Sequence, residues 1–168
     1  MARKVVIIGG GFGGIQVAIK LANTDCEVTL IDKKNHHLFQ PLLYQVASAA
    51  LSPADIATPL REIFARASNI RVVMGEVVKI DKEKQELHTL NGDSYHFDSL
   101  IVATGASHSY FGNDQWEEHA PGLKTLIDAL QIRERVLLSF EKAERLKCLE
   151  EAQKYLNFVI IGAGPTGV

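Results

Sequence analysis

The sequence is poor in the features that mark several protein classes. Of its 168 residues only two are cysteine, Cys26 and Cys148, and they lie far apart. They form no CxxC redox pair and no metal-ligand spacing, and they read as reduced structural thiols in a reducing compartment. The formal net charge is only −2, so electrostatics gives no argument for a nucleic acid or an anionic membrane as partner. No stretch approaches the roughly 18 apolar residues that a membrane-spanning helix needs. Near the N-terminus the apolar run from Val5 to Ile8 soon gives way to glycines. That is too short for a signal-peptide core of about 7–15 residues. What remains is 46% hydrophobic and 23% charged, ordinary values for a globular chain able to bury a sizeable core. A cytoplasmic protein is expected.

The hydrophobic pattern predicts an α/β fold. Residues 4–8 are a β-branched apolar run, expected as a buried parallel strand. After them, every residue from Gly9 to Gly14 except Phe12 is glycine. Ile15, Ala18, Ile19 and Ala22 then follow helical spacing, and Val28, Leu30 and Ile31 mark a second strand over 27–32. This is a β–α–β unit. Residues 33–53 have no clean period, so a long loop or irregular helix is expected there. Ser52 as N-cap and Pro53 at the first position predict a helix running to about residue 66. Residues 70–74 read as a strand that 76–80 continues, and Asn91-Gly92 predicts a hairpin between 85–90 and 94–97. Residues 99–103 are again β-rich, 106–122 are loop-like, and 125–155 read as one long amphipathic helix. A last apolar strand is expected over 157–161.

Chemistry concentrates in two glycine patterns. Gly9-x-Gly11-x-x-Gly14 lies between a predicted strand and a predicted helix, the context of a dinucleotide-binding loop. The first glycine allows the tight turn, the second lets the backbone approach a pyrophosphate, and the third permits close helix–strand packing. The phosphates would sit at the positive end of the first helix. The acidic residue expected about 20 positions on, for the ribose hydroxyls, is Asp32. Gly162-x-Gly164-x-x-Gly167 repeats the pattern after a second apolar strand. Two dinucleotide sites on one chain point to two cofactors exchanging a hydride.

Several segments resemble the type II NADH:quinone oxidoreductase family, part of the pyridine nucleotide-disulfide oxidoreductase superfamily. They are Val5-Val-Ile-Ile-Gly-Gly-Gly-Phe-Gly-Gly, Val28-Thr-Leu-Ile-Asp32 and Leu38-Phe-Gln-Pro-Leu-Leu-Tyr-Gln-Val-Ala47. Leu51-Ser-Pro-Ala-Asp-Ile-Ala57, Asp98-Ser-Leu-Ile-Val-Ala-Thr-Gly-Ala106, His108-Ser-Tyr-Phe-Gly112, Ala120-Pro-Gly-Leu-Lys-Thr125 and the closing Gly-Ala-Gly-Pro-Thr-Gly join them. The resemblance implies a Rossmann-like FAD-binding domain over 1–156, with a hairpin at about 85–97 and a long helix at about 125–155. Residues 157–168 would begin an NADH-binding domain. Gly9, Gly11, Phe12, Gly13 and Gly14 would form the FAD diphosphate loop. Asp32, with Lys33 beside it, would hold the adenosine ribose, and Val77 would place backbone groups on the adenine. Ala103, Thr104 and Gly105 would pass close to the cofactor. The segment 40–48, with Gln45 and Ser48, would approach the isoalloxazine ring. Gly162, Gly164 and Gly167 would bind the NADH diphosphate.

In the family NADH gives a hydride to FAD, and the flavin reduces a membrane quinone. NADH, FAD and quinone are therefore the implied partners, with no nucleic acid, peripheral contact with the cytoplasmic face of the inner membrane, and a homodimer left open. The sequence stops at Val168, before the second helix, the C-terminal flavin cover and the membrane-anchoring helices that the resemblance implies. The chain thus reads as a truncated front part, not expected to have full activity. The alternatives are an FAD- or ADP-binding module without turnover, and a sulfide:quinone oxidoreductase-like flavoprotein, for which the two cysteines are poorly placed. His36 and His37 are adjacent, so they point differently and lack a third partner for a metal, and His108, Ser109 and Asp114 read as ordinary polar loop residues.

Overall fold

The computed structural model describes residues 2–162, 164, 166 and 167. In chain order its elements begin with β1 (Arg3–Ile8), α1 (Phe12–Leu21), β2 (Cys26–Asp32) and β3 (His36–Leu38). Next come α2 (Leu43–Ala47), α3 (Pro53–Ile56), β4 (Ala57–Pro59) and α4 (Leu60–Ile63). Strands β5 (Ile70–Met74), β6 (Val77–Asp81), β7 (Glu86–Thr89), β8 (Ser94–His96) and β9 (Ser99–Val102) follow, then α5 (Leu126–Glu144) and α6 (Leu149–Gln153). The chain divides into two compact units, Met1–Leu38 with Ala57–Ala106, and Phe39–Ile56 with Ser107–Val168.

The first unit is a Rossmann-like α/β fold. Its parallel sheet has the order β5-β2-β1-β9. Strand β1 lies in the middle, with Ile7 paired to Leu30 on one side and to Ile101 on the other. Val5, Ile7, Val28 and Leu30 face one core, closed by Ile15 and Ala18 of α1 and by Leu60 and Phe64. Val6, Ile8 and Ile31 face a second core with Leu87 and Phe97. This explains the continuous apolar reading of β1: both its faces are buried. A second sheet, β6-β7-β8, is antiparallel. As predicted, β7 and β8 form a hairpin, and Gly92 supplies the positive φ of its turn (+89°).

Three expectations over residues 33–80 need correction. Residues 76–80 do not prolong β5. The chain breaks at Gly75, and β6 joins the antiparallel sheet. The helix expected from Pro53 to about residue 66 is two short helices, α3 and α4, separated by β4. Pro59 is the physical reason, since it removes a donor and pushes Thr58 into extended backbone. Finally, the irregular stretch after Asp32 begins with a strand. β3 pairs antiparallel with β4, with His37 opposite Thr58.

In the second unit, Thr125 caps α5 through a reciprocal capping box. The Asp128 N–H donates to the Thr125 hydroxyl (3.2 Å), and the Asp128 carboxylate accepts from the Thr125 N–H (2.8 Å) and the Lys124 N–H (3.0 Å). Burial pushes the Asp128 carboxyl up, but these backbone donors and the Thr125 side chain outweigh it, and its pKa lies below the ordinary carboxylate range. A depressed native pKa stabilises the fold fully above the unfolded-state value, and that contribution is lost as pH falls through the native value. Asp128→Asn should therefore lower the melting temperature at neutral pH and converge on wild type in acid. Thermal melts across that range test it. Thr125→Ala should cost about 1 kcal/mol.

The long helix expected over 125–155 is interrupted. Helix α5 ends at Glu144, and α6 starts after Cys148, whose backbone is extended (ψ 120°). No glycine or proline marks this break. Of the apolar stripe expected along it (Leu126, Ala129, Leu130, Val136, Leu137 and Phe140), Ala129 is buried, Leu126 and Val136 are half-buried, and Leu130, Leu137 and Phe140 are about half exposed. Residues 157–161 are not a strand. They have strand composition, but a strand requires a partner for its N–H and C=O groups, and they join none of the described sheets. Val159, Ile160 and Ile161 are exposed.

Candidate dinucleotide site

The glycine loop connects the centre of the parallel sheet to α1. The strand order runs outward from β1 through β2 to β5, and the chain then returns to place β9 on the opposite side of β1. At such a reversal open α/β sheets bind ligands in a crevice outside the carboxyl ends of the strands, here those of β1 and β9. Gly9 follows β1 directly, and Ala103 follows β9, with its N–H donating to the Ile8 carbonyl (2.8 Å).

The glycines divide by what a side chain would meet. Gly9 has φ +106°, and a Cβ there would strike the Ala103 carbonyl. A Cβ on Gly14 would strike the Gly9 carbonyl, and one on Gly10 would meet the Leu60 methyls. All three are buried. Gly11 and Gly13 differ: both are exposed, nothing lies within 4 Å of a Cβ on Gly11, and only the Ala103 methyl lies near one on Gly13 (3.8 Å). The fold itself therefore demands Gly9 and Gly14, and a side chain on Gly10 would have to displace the end of Leu60, whereas Gly11 and Gly13 border a space that the described residues leave open.

That space lies at the start of α1. Gly11 is the N-cap, so no side chain caps the helix, and the first turn contains no acidic residue. A helix end of this kind favours an anion such as phosphate. Beyond the loop, Asp32 ends β2. Its carboxylate accepts the Gly10 N–H (2.5 Å) and the Lys34 N–H (2.6 Å). A carboxylate has roughly four lone-pair positions, so these bonds orient it and leave capacity for hydroxyl donors. The Asp32 carbonyl also accepts the Gly75 N–H (2.8 Å). This bond secures the turn into β6 and brings Val77 close to the end of β2. The residues thus fit a dinucleotide: an open glycine cradle for the diphosphate, an oriented carboxylate for a ribose, and Val77 just beyond it.

A family model described as pyridine nucleotide-disulphide oxidoreductase matches residues 3–168. The chain belongs to this family. Within it, the chain is 49% identical over 99% of its length to "Type II NADH:quinone oxidoreductase Ndh" of Mycobacterium tuberculosis, and covers 36% of that relative. Among solved structures, NDH2 from Plasmodium falciparum in complex with NADH matches with TM-score 0.81 and 25% identity, over 92% of this chain and 32% of that one. The sulfide:quinone oxidoreductase of Aquifex aeolicus matches with TM-score 0.76 and 29% identity, over 83% of this chain and 33% of that one. The chain therefore spans about a third of the length of these family relatives.

Gly9, Gly11, Phe12, Gly13, Gly14, Asp32, Lys33, Val77, Ala103, Thr104 and Gly105 all lie in the first unit, where a side chain on Gly9 would meet the backbone of Ala103 and Thr104. Gln45 and Ser48 belong to the second unit. There the Gln45 amide donates to the Tyr44 hydroxyl (2.9 Å), and the Ser48 hydroxyl donates to the Gln45 carbonyl (3.3 Å). The second glycine pattern also lies in that unit, and its Ala163 and Pro165 fall outside the described residues. Gly162 has φ +108°, close to the +106° of Gly9, and a Cβ on Gly167 would strike the Gly162 carbonyl as one on Gly14 would strike that of Gly9. Sequence reasoning missed His37, which has no motif around it. Its ring reaches back across the chain to the Gly10 carbonyl.

Proposed function

We propose that the chain is the FAD-binding part of a flavoprotein that oxidises NADH and passes the electrons to a quinone. The open cradle at Gly11 and Gly13, set at the end of α1 with Asp32 beside it, carries this reading. FAD would lie with its diphosphate against Gly11–Gly13 and its ribose hydroxyls on Asp32. Val77 would face the adenine, and Ala103, Thr104 and Gly105 would line the way to the flavin. Gln45 and Ser48 are proposed to approach the isoalloxazine ring. The flavin supplies the hydride-accepting chemistry; the protein binds and orients it. The second glycine pattern is proposed to take the NADH diphosphate, supported by the positive φ of Gly162 and the close approach of Gly167 to its carbonyl. The name of the M. tuberculosis relative supports NADH and quinone as substrates of the whole protein. That protein would work as a peripheral enzyme on the cytoplasmic face of the membrane.

The sulfide:quinone oxidoreductase alternative has a fold neighbour, but the first unit's one cysteine is not at the glycine loop. Cys26 starts β2, at the strand end opposite the glycine loop, and Cys148 is an exposed residue of the second unit.

Asp32 offers a graded test. Asp32→Ala removes a charged acceptor from the ribose, and FAD affinity should fall by roughly 1.5–3 kcal/mol. Titrating FAD into the variant and the wild type reads this directly. Unchanged affinity would place the ribose elsewhere.

A further inference from the structure

Gly10 is held from both sides. Its N–H donates to Asp32 (2.5 Å), and its carbonyl lies 3.1 Å from Nδ1 of His37. A carbonyl only accepts, so His37 Nδ1 must carry the proton and donate. The same imidazole meets the Phe12 ring edge-on, with centroids 5.0 Å apart and planes at 89°. His37 sits on β3, and Leu60, whose methyls close the other side of Gly10, follows β4 directly. The β3–β4 ribbon therefore braces the glycine loop at one residue. It is anchored in turn by the Leu60 N–H on the Asn35 carbonyl (2.9 Å).

The bond to His37 fixes more than Gly10. The Gly10–Gly11 peptide is trans, and in a trans peptide the C=O and the following N–H point in opposite directions. Turning the Gly10 carbonyl toward His37 turns the Gly11 N–H away from it. Gly11 is exposed, and the space beside it is open. We infer that His37 is a positioning residue of the cofactor site: it sets the Gly10–Gly11 peptide plane so that the Gly11 N–H is presented to the diphosphate. The imidazole itself touches no part of the ligand. This rests on the FAD reading above and assigns the residue that pre-orients its phosphate loop. Pre-orientation matters because a glycine-rich loop loses more backbone freedom on ordering than any other sequence.

The test uses the 168-residue chain with FAD and ADP as probes. His37→Phe keeps a ring against Phe12 and deletes the donor. His37→Asn deletes the ring and keeps an amide N–H at the position of Nδ1. The phenylalanine variant should lose roughly three- to tenfold in affinity for both ligands, the net worth of one hydrogen bond. The asparagine variant should recover most of it. The Gly11 amide proton should shift strongly on ADP addition in wild type and His37→Asn, and weakly in His37→Phe. Where the phenylalanine variant does not fold, His37→Leu serves the same comparison. Equal affinity in the donor-less variant overturns the inference. So does a Gly11 response that is the same in all variants, because His37 would then act only through packing. Wild-type chain that binds neither FAD nor ADP overturns the cofactor reading itself, and this inference with it.

Discussion

Gly11→Val is expected to abolish FAD binding and to leave the chain folded. The two halves of that result come from different observations. No protein atom lies within 4 Å of a Cβ on Gly11, its φ is −78°, and it is exposed, so valine meets no steric obstacle in the protein itself. The stability change should stay within about 1 kcal/mol, as for surface substitutions without a structural partner. The branched side chain instead fills the space at the start of α1 where a diphosphate must approach the backbone. Circular dichroism and thermal melting read the first half, and a flavin titration reads the second. A variant that still takes up FAD with wild-type affinity would remove the diphosphate from this loop.

Gly9→Ala has the opposite character: the chain loses stability whether or not a cofactor is added. Its φ of +106° lies in a region that side chains other than hydrogen rarely adopt, and the new methyl would strike the Ala103 carbonyl. Backbone strain of this kind costs on the order of 1–3 kcal/mol, and overpacking typically adds another 1–3. Against a total stability of about 5–15 kcal/mol, a combined loss of about 2–6 kcal/mol should be evident as a large fall in melting temperature. The clash lies at the contact between the ends of β1 and β9, which defines the crevice. Denaturant unfolding of the two variants side by side separates a glycine the fold requires from one the ligand requires. Wild-type stability in Gly9→Ala would show that β1 and β9 do not approach as closely as described.

The part of this fold legible in the sequence is the part governed by local signals. The β1–glycine loop–α1–β2 unit lies within two residues of the strand expectations, because both faces of β1 are buried and the glycines leave one reading of the turn. The hairpin at Asn91-Gly92 is equally local, since a positive φ is written into the residue type. The misread elements depend on distant partners. β3 is three residues long and exists through its pairing with β4. The fate of residues 76–80 was decided by a bond from Gly75 to Asp32. Pro59 did announce the break between α3 and α4, and helical expectation overrode it. The break after Glu144 had no such signal. At the site, the glycines and Asp32 stood out through spacing, while His37 stood out through nothing, because its partner, Gly10, is a backbone carbonyl on a separate element.

The central claim is that the crevice between β1 and β9 is an FAD site. The most direct measurement is the cofactor content of the purified 168-residue chain after incubation with excess FAD and removal of free ligand, read by visible absorbance and mass spectrometry. The account predicts bound FAD close to one per chain in the wild type and none in Gly11→Val. A wild-type chain that retains no flavin, or that takes up NADP in its place, would contradict it.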